Sequence, residues 1–332
     1  MKNRISILGD GGWGTTLAIL LCRKGLDVTL WSISKGYALY LDKKRINKKF
    51  LPGVSIPHSI RIISNLREAL DFQDIIILAV PSQYARRVLR KIRLLHILKP
   101  DTVLVSATKG IELGTLKRMS QLVHEELGSI KFAVISGPTI AHEVARGIPT
   151  TAVIASCDKG LRKNLQSIFM NERFRIYTND DVIGVELGGS LKNVIAIACG
   201  ISDGLGFGTN TKAALLSRGM VEISRLGAMM GAKVSTFSGI SGLGDLVTTC
   251  ISPYSRNRFV GEQIGKGKSL REITTHMQMV AEGIPTTKSA YALSFKYKLD
   301  MPITKEVYHV LYKNKSPLKA VRDLMTRERR EE

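Results

Sequence analysis

Residues 4–21, RISILGDGGWGTTLAILL, decide the fold class of this chain. An apolar strand pattern, Ile5–Leu8, runs into GDGGWG, and an apolar helical pattern follows from Thr15. The glycines at positions 9, 11 and 14 have the spacing G-x-G-x-x-G, which binds the pyrophosphate of a dinucleotide at the first turn of a Rossmann sheet. A glycine triplet alone is weak evidence, but here a strand precedes it and a helix follows it, as the motif requires. The stretch therefore predicts a dinucleotide-binding turn.

Each glycine of this turn has a separate predicted role. Gly9 permits the tight turn, Gly11 lets the backbone approach the pyrophosphate, and Gly14 lets the helix pack closely on the strand. Backbone N–H groups at the start of the helix would then face the phosphates, aided by the helix dipole. A purely structural strand–turn–helix needs fewer glycines, so we interpret the triplet as a cofactor site.

The end of the second predicted strand bears on which dinucleotide is bound. NAD-selective sites carry Asp or Glu about 20 residues further on to bind the ribose hydroxyls, but residues 31–35, WSISK, contain no carboxylate. Ser32, Ser34 or Lys35 could instead bind a 2′-phosphate, whereas Ile33 has no polar group. The sequence therefore slightly favours NADP and leaves NAD open.

The first half of the chain alternates short apolar strands with helical patterns, as in a parallel sheet covered by helices on both faces. The predicted strands are Arg4–Leu8, Val28–Trp31, Ile75–Val80, Val103–Ser106, Phe132–Ser136 and Thr151–Ala155. From about residue 180 the predicted elements are the helices Val182–Cys199, Thr211–Met230, Ser269–Gln278 and Thr286–Lys296. We therefore predict an α/β Rossmann-type N-terminal domain that binds the dinucleotide, residues 1–185, followed by a mostly α-helical C-terminal domain that binds the substrate, residues 186–332.

The composition of the chain argues against several classes of protein. The longest apolar runs found, Leu17–Cys22 and Ile75–Val80, are shorter than the ~18 residues of a membrane-spanning helix, so we expect no membrane insertion. Four widely spaced cysteines without a CxxC pair predict a cytoplasmic protein with no metal site. The 49 basic and 28 acidic residues give a formal net charge of +21. Because the basic residues are scattered and not interleaved with aromatics, we expect no nucleic acid but a small phosphorylated substrate.

Seven stretches, in order across almost the whole chain, carry the most specific signal in the sequence. They are GDGGWGTTLA (9–18), ATKGIE (107–112), SGPTIAHEVARG (136–147), ELGGSLKNVIAIACGISDGLGFGTNTKAALLSRG (186–219), GLGDLVTTC (242–250), SRNRFVGEQIGKG (255–267) and AEGIPTTKSA (281–290). Together they resemble the NAD(P)-dependent glycerol-3-phosphate dehydrogenases of bacteria. The resemblance implies reversible hydride transfer between NAD(P)H and dihydroxyacetone phosphate, giving sn-glycerol 3-phosphate for phospholipid synthesis. It also implies a homodimer.

Lys192, within GGSLKNV, is the residue that we expect to transfer the proton. Reduction of a ketone needs a hydride at carbon and a proton at oxygen, and an ammonium group can polarise the carbonyl and then protonate the forming alkoxide. Small residues before Lys192 and apolar residues after it favour a buried helix over a solvated one. Lys109 and Asp245 would act in opposite directions on how tightly this ammonium holds its proton, and the sequence leaves open which effect is larger.

The other site residues follow from the resemblance. At the substrate it implies Lys109, Gly137, Thr139, Lys192, Asn193, Asp245, Thr249, Ser255, Arg256 and Asn257. At the cofactor it implies Gly9, Gly11, Gly12, Trp13, Gly14, Ile33, Lys109, Ala141, Arg256, Val280 and Glu282. The guanidinium of Arg256 suits bidentate contacts to phosphate oxygens, although residues 255–257 could equally form a polar surface turn.

Two other functions fit parts of the sequence. A related two-domain NAD(P)-dependent reductase of a hydroxy acid or keto acid would share the fold, but it would not need the positive charge of Lys109 and of the SRNR cluster. A nucleotide-binding sensor or nucleic-acid-binding protein with the same fold is supported only by the net charge. Such a protein would be expected to lose Lys192, which is present.

Overall fold

The computed structural model describes residues 3–328. Eight strands lie in this part of the chain: β1 (Arg4–Leu8), β2 (Asp27–Trp31), β3 (Arg61–Ile63), β4 (Ile75–Leu78), β5 (Val103–Ser106), β6 (Lys131–Ser136), β7 (Thr150–Ala155) and β8 (Phe174–Asn179). The helices are α1 (Gly12–Arg23), α2 (Lys35–Lys44), α3 (Leu66–Leu70), α4 (Ser82–Leu95), α5 (Met119–Leu127), α6 (Ala141–Ala145), α7 (Lys159–Phe169), α8 (Val182–Gly204), α9 (Thr209–Met229), α10 (Val234–Phe237), α11 (Asp245–Ile251), α12 (Arg256–Gly265), α13 (Leu270–His276), α14 (Gly283–Lys296), α15 (Pro302–Tyr312) and α16 (Pro317–Met325). A π-helical turn, Ile240–Gly244, precedes α11.

All eight strands form one sheet in the order β3-β2-β1-β4-β5-β6-β7-β8. β1 pairs in parallel with both β2 and β4, so the strand order reverses beside β1, as in a Rossmann sheet. β4 shows how the sheet is covered: Ile75 and Ile77 pack in one buried apolar cluster, and Ile76 and Leu78 pack in another. Apolar layers therefore lie on both faces, which explains why this strand is apolar at every position.

The sheet departs from the predicted parallel arrangement at one pair, because β7 runs antiparallel to β6. Parallel neighbours need a crossover that runs back along the sheet. The connection from β6 to β7 contains only the five-residue α6, about 7.5 Å long, whereas a six-residue strand is about 20 Å long. The chain therefore turns back beside β6, and the predicted parallel pairing is wrong here.

All six predicted strands are present, with ends that differ by at most two residues. β3 and β8, at the two edges of the sheet, were not predicted. β3 is only three residues long, and β8 alternates buried and exposed residues at its start. α1 begins at Gly12 rather than at Thr15, so the second half of the glycine motif lies inside the helix.

The chain divides into two compact units. The first contains the residues up to Lys109 together with Lys117–Glu186, and it holds the whole sheet. The second contains Gly110–Leu116 and the residues from Leu187 onward, and its regular elements within the described residues are helical. Gly110–Leu116 thus belongs to the second unit although it precedes residue 186.

α8 is longer than any apolar run that we identified in the sequence. An 18-residue window within its 23 residues has a mean hydropathy of 1.5, so by length and composition α8 could cross a membrane. Within the protein, however, 94% of this apolar window is buried. Such burial is typical of the core helix of a soluble protein, and α8 is therefore weak evidence for a membrane span.

Candidate active site

Gly9 and Gly14 leave no room for side chains in the turn after β1. Gly9 has a φ of +126°, and a Cβ atom there would lie 2.6 Å from the carbonyl oxygen of Ala79. A Cβ atom at Gly14 would lie 1.9 Å from the carbonyl oxygen of Gly9. Both positions therefore require glycine, for the tight turn and the close helix–strand packing expected from the motif.

Gly11 differs, because no heavy atom lies within 4 Å of the position that its Cβ would occupy. It is the N-cap of α1, and no side chain caps the helix there. The space beside Gly11, at the N-terminus of α1, is therefore open, and a helix N-terminus suits an anion. Trp13 adds a buried indole N–H that has no hydrogen-bond partner within residues 3–328. These observations fit the pyrophosphate of a dinucleotide, with Gly11, Gly12, Trp13 and Gly14 as the residues that would hold it.

Asn47, which was not among the predicted site residues, stabilises the glycine turn through hydrogen bonds. Its amide nitrogen donates to the carbonyl oxygen of Asp10 and to Thr15 Oγ1, both at 2.8 Å. Its Oδ1 accepts from the backbone N–H of Phe50 at 3.0 Å and from the hydroxyl of Tyr37 at 2.7 Å. Asn47 is fully buried, yet in the sequence it lies among lysines and gives no local signal of this role.

The side chain of Asp10 points to the end of β2, where Ser32 Oγ donates to Asp10 Oδ2 at 2.5 Å. Burial raises the pKa of the Asp10 carboxyl, and the hydrogen bond from Ser32 opposes this shift. A carboxylate therefore does lie at the carboxyl end of β2, although residues 31–35 supply none. It comes from the glycine turn itself.

The other polar residues after β2 also have local roles. Ser34 Oγ accepts from the backbone N–H of Tyr37 at 3.2 Å and caps α2. Ser32 and Ser34 are thus both engaged within the protein, while Lys35 is exposed at the first position of α2. Ile33 is 61% exposed, so this strand end offers Lys35 as its cation and Ile33 as an open apolar surface.

The loop after β6 brings Lys109, Gly137 and Thr139 together. Lys109 Nζ donates to the carbonyl oxygen of Gly137 at 3.0 Å, and Thr139 Oγ1 donates to the same oxygen at 3.2 Å. Gly137 has a φ of +141°, which favours glycine. The loop continues to Ala141, whose carbonyl oxygen accepts from Thr16 Oγ1 of α1 at 3.0 Å. The predicted cofactor residue Ala141 therefore does lie beside the glycine turn.

In the second unit, Lys192 lies within a compact polar group. Its Nζ forms an ion pair with Asp245 Oδ1 and donates to Thr249 Oγ1 at 2.7 Å. Thr249 Oγ1 in turn donates to the carbonyl oxygen of Asp245 at 2.7 Å. Lys192 is 6% exposed, which confirms the buried helix expected from its neighbours. The structure thus assembles three predicted site residues; we call them the lysine group.

Small residues make this group possible. Asp245 begins α11 directly after the π-helical turn, and α8 must pass close to that turn for Lys192 to reach it. A Cβ atom at Gly188 would lie 2.6 Å from the carbonyl oxygen of Ser241 in the turn. Gly188 therefore allows the close approach of α8 to the π-helical turn.

Asn193 and Asn257 hydrogen-bond to each other rather than standing apart. Asn257 Nδ2 donates to Asn193 Oδ1 at 2.8 Å, and the N–H of Gly283 donates to Asn257 Oδ1 at 2.8 Å. A Cβ atom at Gly283 would lie 2.7 Å from the carbonyl oxygen of Asn193. Both asparagines are buried and join α8, α12 and α14, so they have a packing role that the sequence analysis did not foresee.

Ser255 and Arg256 lie at the N-terminus of α12. Ser255 Oγ accepts from the N–H of Arg258 at 3.2 Å and caps the helix. Arg256 Nη1 donates to the carbonyl oxygen of Val280 at 2.7 Å, and the charge of Glu282 acts on the same guanidinium. The structure thus brings Arg256, Val280 and Glu282 together beside a helix N-terminus. The guanidinium and the helix N-terminus favour an anion, whereas the carboxylate of Glu282 opposes one.

The predicted site residues fall into one set in each unit. The first unit holds Gly9, Gly11, Gly12, Trp13, Gly14, Ile33, Lys109, Gly137, Thr139 and Ala141. The second holds Lys192, Asn193, Asp245, Thr249, Ser255, Arg256, Asn257, Val280 and Glu282. Within residues 3–328, no three His, Cys, Asp or Glu side chains are grouped so that they could hold a metal ion.

Comparisons with known proteins show which family the chain belongs to. Residues 4–162 match the family model described as NAD-dependent glycerol-3-phosphate dehydrogenase N-terminus, and residues 181–322 match the model for its C-terminus. A glycerol-3-phosphate dehydrogenase (NAD(P)+) of Chlorobium phaeobacteroides is 48% identical and is aligned over 99% of each chain. The chain belongs to this family. The family resemblance and the fold class predicted from the sequence are thereby confirmed.

Two further relatives show how closely the chain follows the family. The enzyme of the same name from a Thermoanaerobacter species is 49% identical over 99% of this chain and 98% of its own. A crystal structure of glycerol-3-phosphate dehydrogenase from Coxiella burnetii superposes with a TM-score of 0.95 at 39% identity, covering 98% of this chain and 99% of that one. As a member of this family, the chain is an NAD(P)-dependent oxidoreductase.

Proposed function

We propose that this chain catalyses the reversible reduction of dihydroxyacetone phosphate to sn-glycerol 3-phosphate with NAD(P)H. The observation that carries the proposal is the lysine group, in which a buried ammonium is held by a carboxylate and a hydroxyl. The names of the relatives support the same reaction. The NAD(P)H, when bound, supplies the hydride.

The residues of the first unit bind the cofactor in this proposal. The N–H groups of Gly12, Trp13 and Gly14 face the pyrophosphate, and the open space over Gly11 admits it. Asn47 holds the turn rigid, so little conformational entropy is lost on binding. Lys109, fixed by the carbonyl of Gly137, contributes positive charge for the phosphorylated substrate.

Lys192 acts as the general acid and base. In the direction of reduction, its ammonium donates a hydrogen bond to the ketone oxygen and transfers a proton as negative charge develops there. The neutral amine is then reprotonated from water. Asp245 and Thr249 orient Nζ through their contacts, and burial strengthens these electrostatic interactions.

The phosphate of the substrate is bound at the N-terminus of α12 in this proposal. Arg256 supplies a two-pronged donor, and Ser255 adds a hydroxyl at the same helix end. The Asn193–Asn257 pair keeps α8 and α12 in register, so Lys192 and Arg256 stay at a fixed spacing.

We also infer that the chain is a cytoplasmic homodimer whose product feeds phospholipid synthesis. All four cysteines are free thiols, which suits a reducing compartment. The burial of α8 supports a protein that does not insert into a membrane. The dimer and the metabolic role rest on the family.

The decisive experiment follows the absorbance of the nicotinamide after dihydroxyacetone phosphate is mixed with the purified protein, with NADH and NADPH in parallel. We expect oxidation of the cofactor that requires the phosphorylated ketone. Dihydroxyacetone and pyruvate serve as matched substrates without the phosphate. Faster turnover of pyruvate would instead establish the alternative, a keto-acid reductase.

A further inference from the structure

The helical unit contains a cavity that none of the proposed active-site residues lines. The cavity has a volume of about 400 Å³ and lies between α8, α9, α15 and α16. Small-molecule pockets usually have volumes of ~300–1,000 Å³. The cavity is therefore large enough for a small ligand.

Aliphatic side chains form most of its walls. On α9 the lining positions are spaced as one face of a helix: Thr211, Ala214, Leu215, Arg218, Val221, Glu222 and Arg225. On α15 and α16 they are Pro302, Ile303, Glu306, Val307, Val310, Pro317, Ala320, Val321, Leu324 and Met325. An aliphatic chain lying between these helices would lose contact with water along its length.

Positive charge lies along the same face of α9. Arg218 and Arg225 line the cavity and are exposed. Among the residues that the structure describes, neither guanidinium forms an ion pair or a hydrogen bond. They are therefore available to an anion.

Most acidic groups of the lining are already neutralised. Glu222 accepts hydrogen bonds from the N–H groups of Ile303 and Thr304, and burial raises its pKa to about 7. Glu306 pairs with a lysine and Asp300 with an arginine. Glu328 lies exposed at the rim. The charge that remains on α9 is positive.

Ser202 adds a polar group to the wall formed by α8. It is 3% exposed, and its hydroxyl has no hydrogen-bond partner in the described part of the chain. Buried hydroxyl groups are usually paired because an unpaired one costs free energy. An acceptor atom of a ligand in the cavity would remove this cost.

From the apolar walls, the unpaired arginines and the orphaned hydroxyl, we infer that this cavity binds an aliphatic molecule with an anionic head group. The chain of the ligand lies between α9 and α16, and its head group binds to Arg218 and Arg225. α8 forms one wall of this site and also carries Lys192. The site would thus let such an anion act on the helix that holds the proposed catalytic lysine.

Titration calorimetry with hexanoate, octanoate and decanoate tests the apolar part of this inference. Each added methylene group should tighten binding about threefold to fourfold, and alkylamines of equal length should bind more weakly because their charge is reversed. Affinity that is independent of chain length, or equal for octanoate and octylamine, would overturn the inference.

Variants on α9 test the location. Both Ala213 and Ala214 are exposed, but only Ala214 lines the cavity. Ala214→Trp should abolish decanoate binding, and Ala213→Trp, the matched control, should leave it unchanged. Arg218→Glu should weaken decanoate and strengthen decylamine, and this result remains informative if Ala214→Trp does not fold.

The alternative to a small ligand is that a second copy of the chain covers this cavity. Light scattering of the ligand-free variants distinguishes the two cases. If Ala214→Trp changes the oligomeric state and Ala213→Trp does not, the cavity is part of a subunit interface, and the proposed ligand site is wrong. An unchanged oligomeric state with lost decanoate binding supports the ligand site.

Discussion

The glycine turn depends on backbone groups, whereas the lysine group depends on side chains. The turn consists of backbone groups and of space that glycines keep clear, as at Gly9 and Gly14. The lysine group consists of side-chain atoms from α8 and α11, brought together across 53 positions of sequence. Adding side-chain atoms should therefore disrupt the turn, whereas removing side-chain atoms should disrupt the lysine group.

Removal of the ammonium group gives the largest expected effect. Lys192→Ala should lower kcat by about 100-fold to 10,000-fold, the usual contribution of a general acid. Steady-state kinetics with dihydroxyacetone phosphate measure it, with Lys305→Ala, an exposed lysine on α15, as the control. Activity retained in Lys192→Ala would exclude Lys192 from the chemistry.

A smaller effect is expected at the proposed phosphate contact. Arg256→Ala should raise KM for dihydroxyacetone phosphate roughly tenfold to 100-fold, because a charged hydrogen bond contributes about 1.5–3 kcal/mol. The cofactor KM and the melting temperature should be measured alongside. Arg271→Ala, an exposed arginine of α13, is the matched control. If KM and kcat are both unchanged, Arg256 does not bind the phosphate.

Added atoms test the other half of the comparison. Gly14→Ala places a Cβ against the carbonyl oxygen of Gly9 and should lower the free energy of unfolding by about 1–3 kcal/mol. Denaturant unfolding measures this change. Gly36→Ala, where no atom lies within 4 Å of the new Cβ, should be neutral or slightly stabilising. Equal stability of the two variants would contradict a turn defined by excluded volume.

The smallest expected effect concerns the choice of cofactor. Ile33→Asp places a carboxylate at the exposed end of β2 and should penalise NADPH relative to NADH about fivefold, since two exposed charges repel by ~1 kcal/mol. The ratio of kcat/KM for the two cofactors measures it, and Ile33→Asn is the uncharged control. A ratio that does not change would mean that the ribose is not bound at this strand end.

The two regions also differ in how far the sequence predicted them. The turn was predictable because its glycines lie within six residues, and their spacing reflects local geometry. The lysine group was predictable only through the family resemblance, since nothing near Lys192 indicates Asp245 as its partner. The role of Asn47 was missed because its hydrogen bonds reach Asp10 and Thr15, more than 30 positions away.

The sequence did not predict two strands of the sheet, or the direction of a third. β3 is too short to show a pattern, and β8 mixes buried Phe174 and Ile176 with exposed polar residues. The direction of β7 could not be predicted from its apolar residues, because the same residues suit parallel and antiparallel neighbours. Local patterns thus predicted six of the eight strands but not the direction of β7 beside β6.

The placement of Gly110–Leu116 in the second unit has a consequence for how the chain is made. Ser289 Oγ donates to the carbonyl oxygens of Ile111 and Glu112 across 178 and 177 positions. At ~5–20 residues per second, a ribosome needs roughly 9 to 36 seconds to cover that distance. During this interval the nascent chain carries Ile111, which is fully buried in the mature protein, without its later partners. Ile111 and Glu112 therefore leave the ribosome well before the residue that hydrogen-bonds to them in the folded protein.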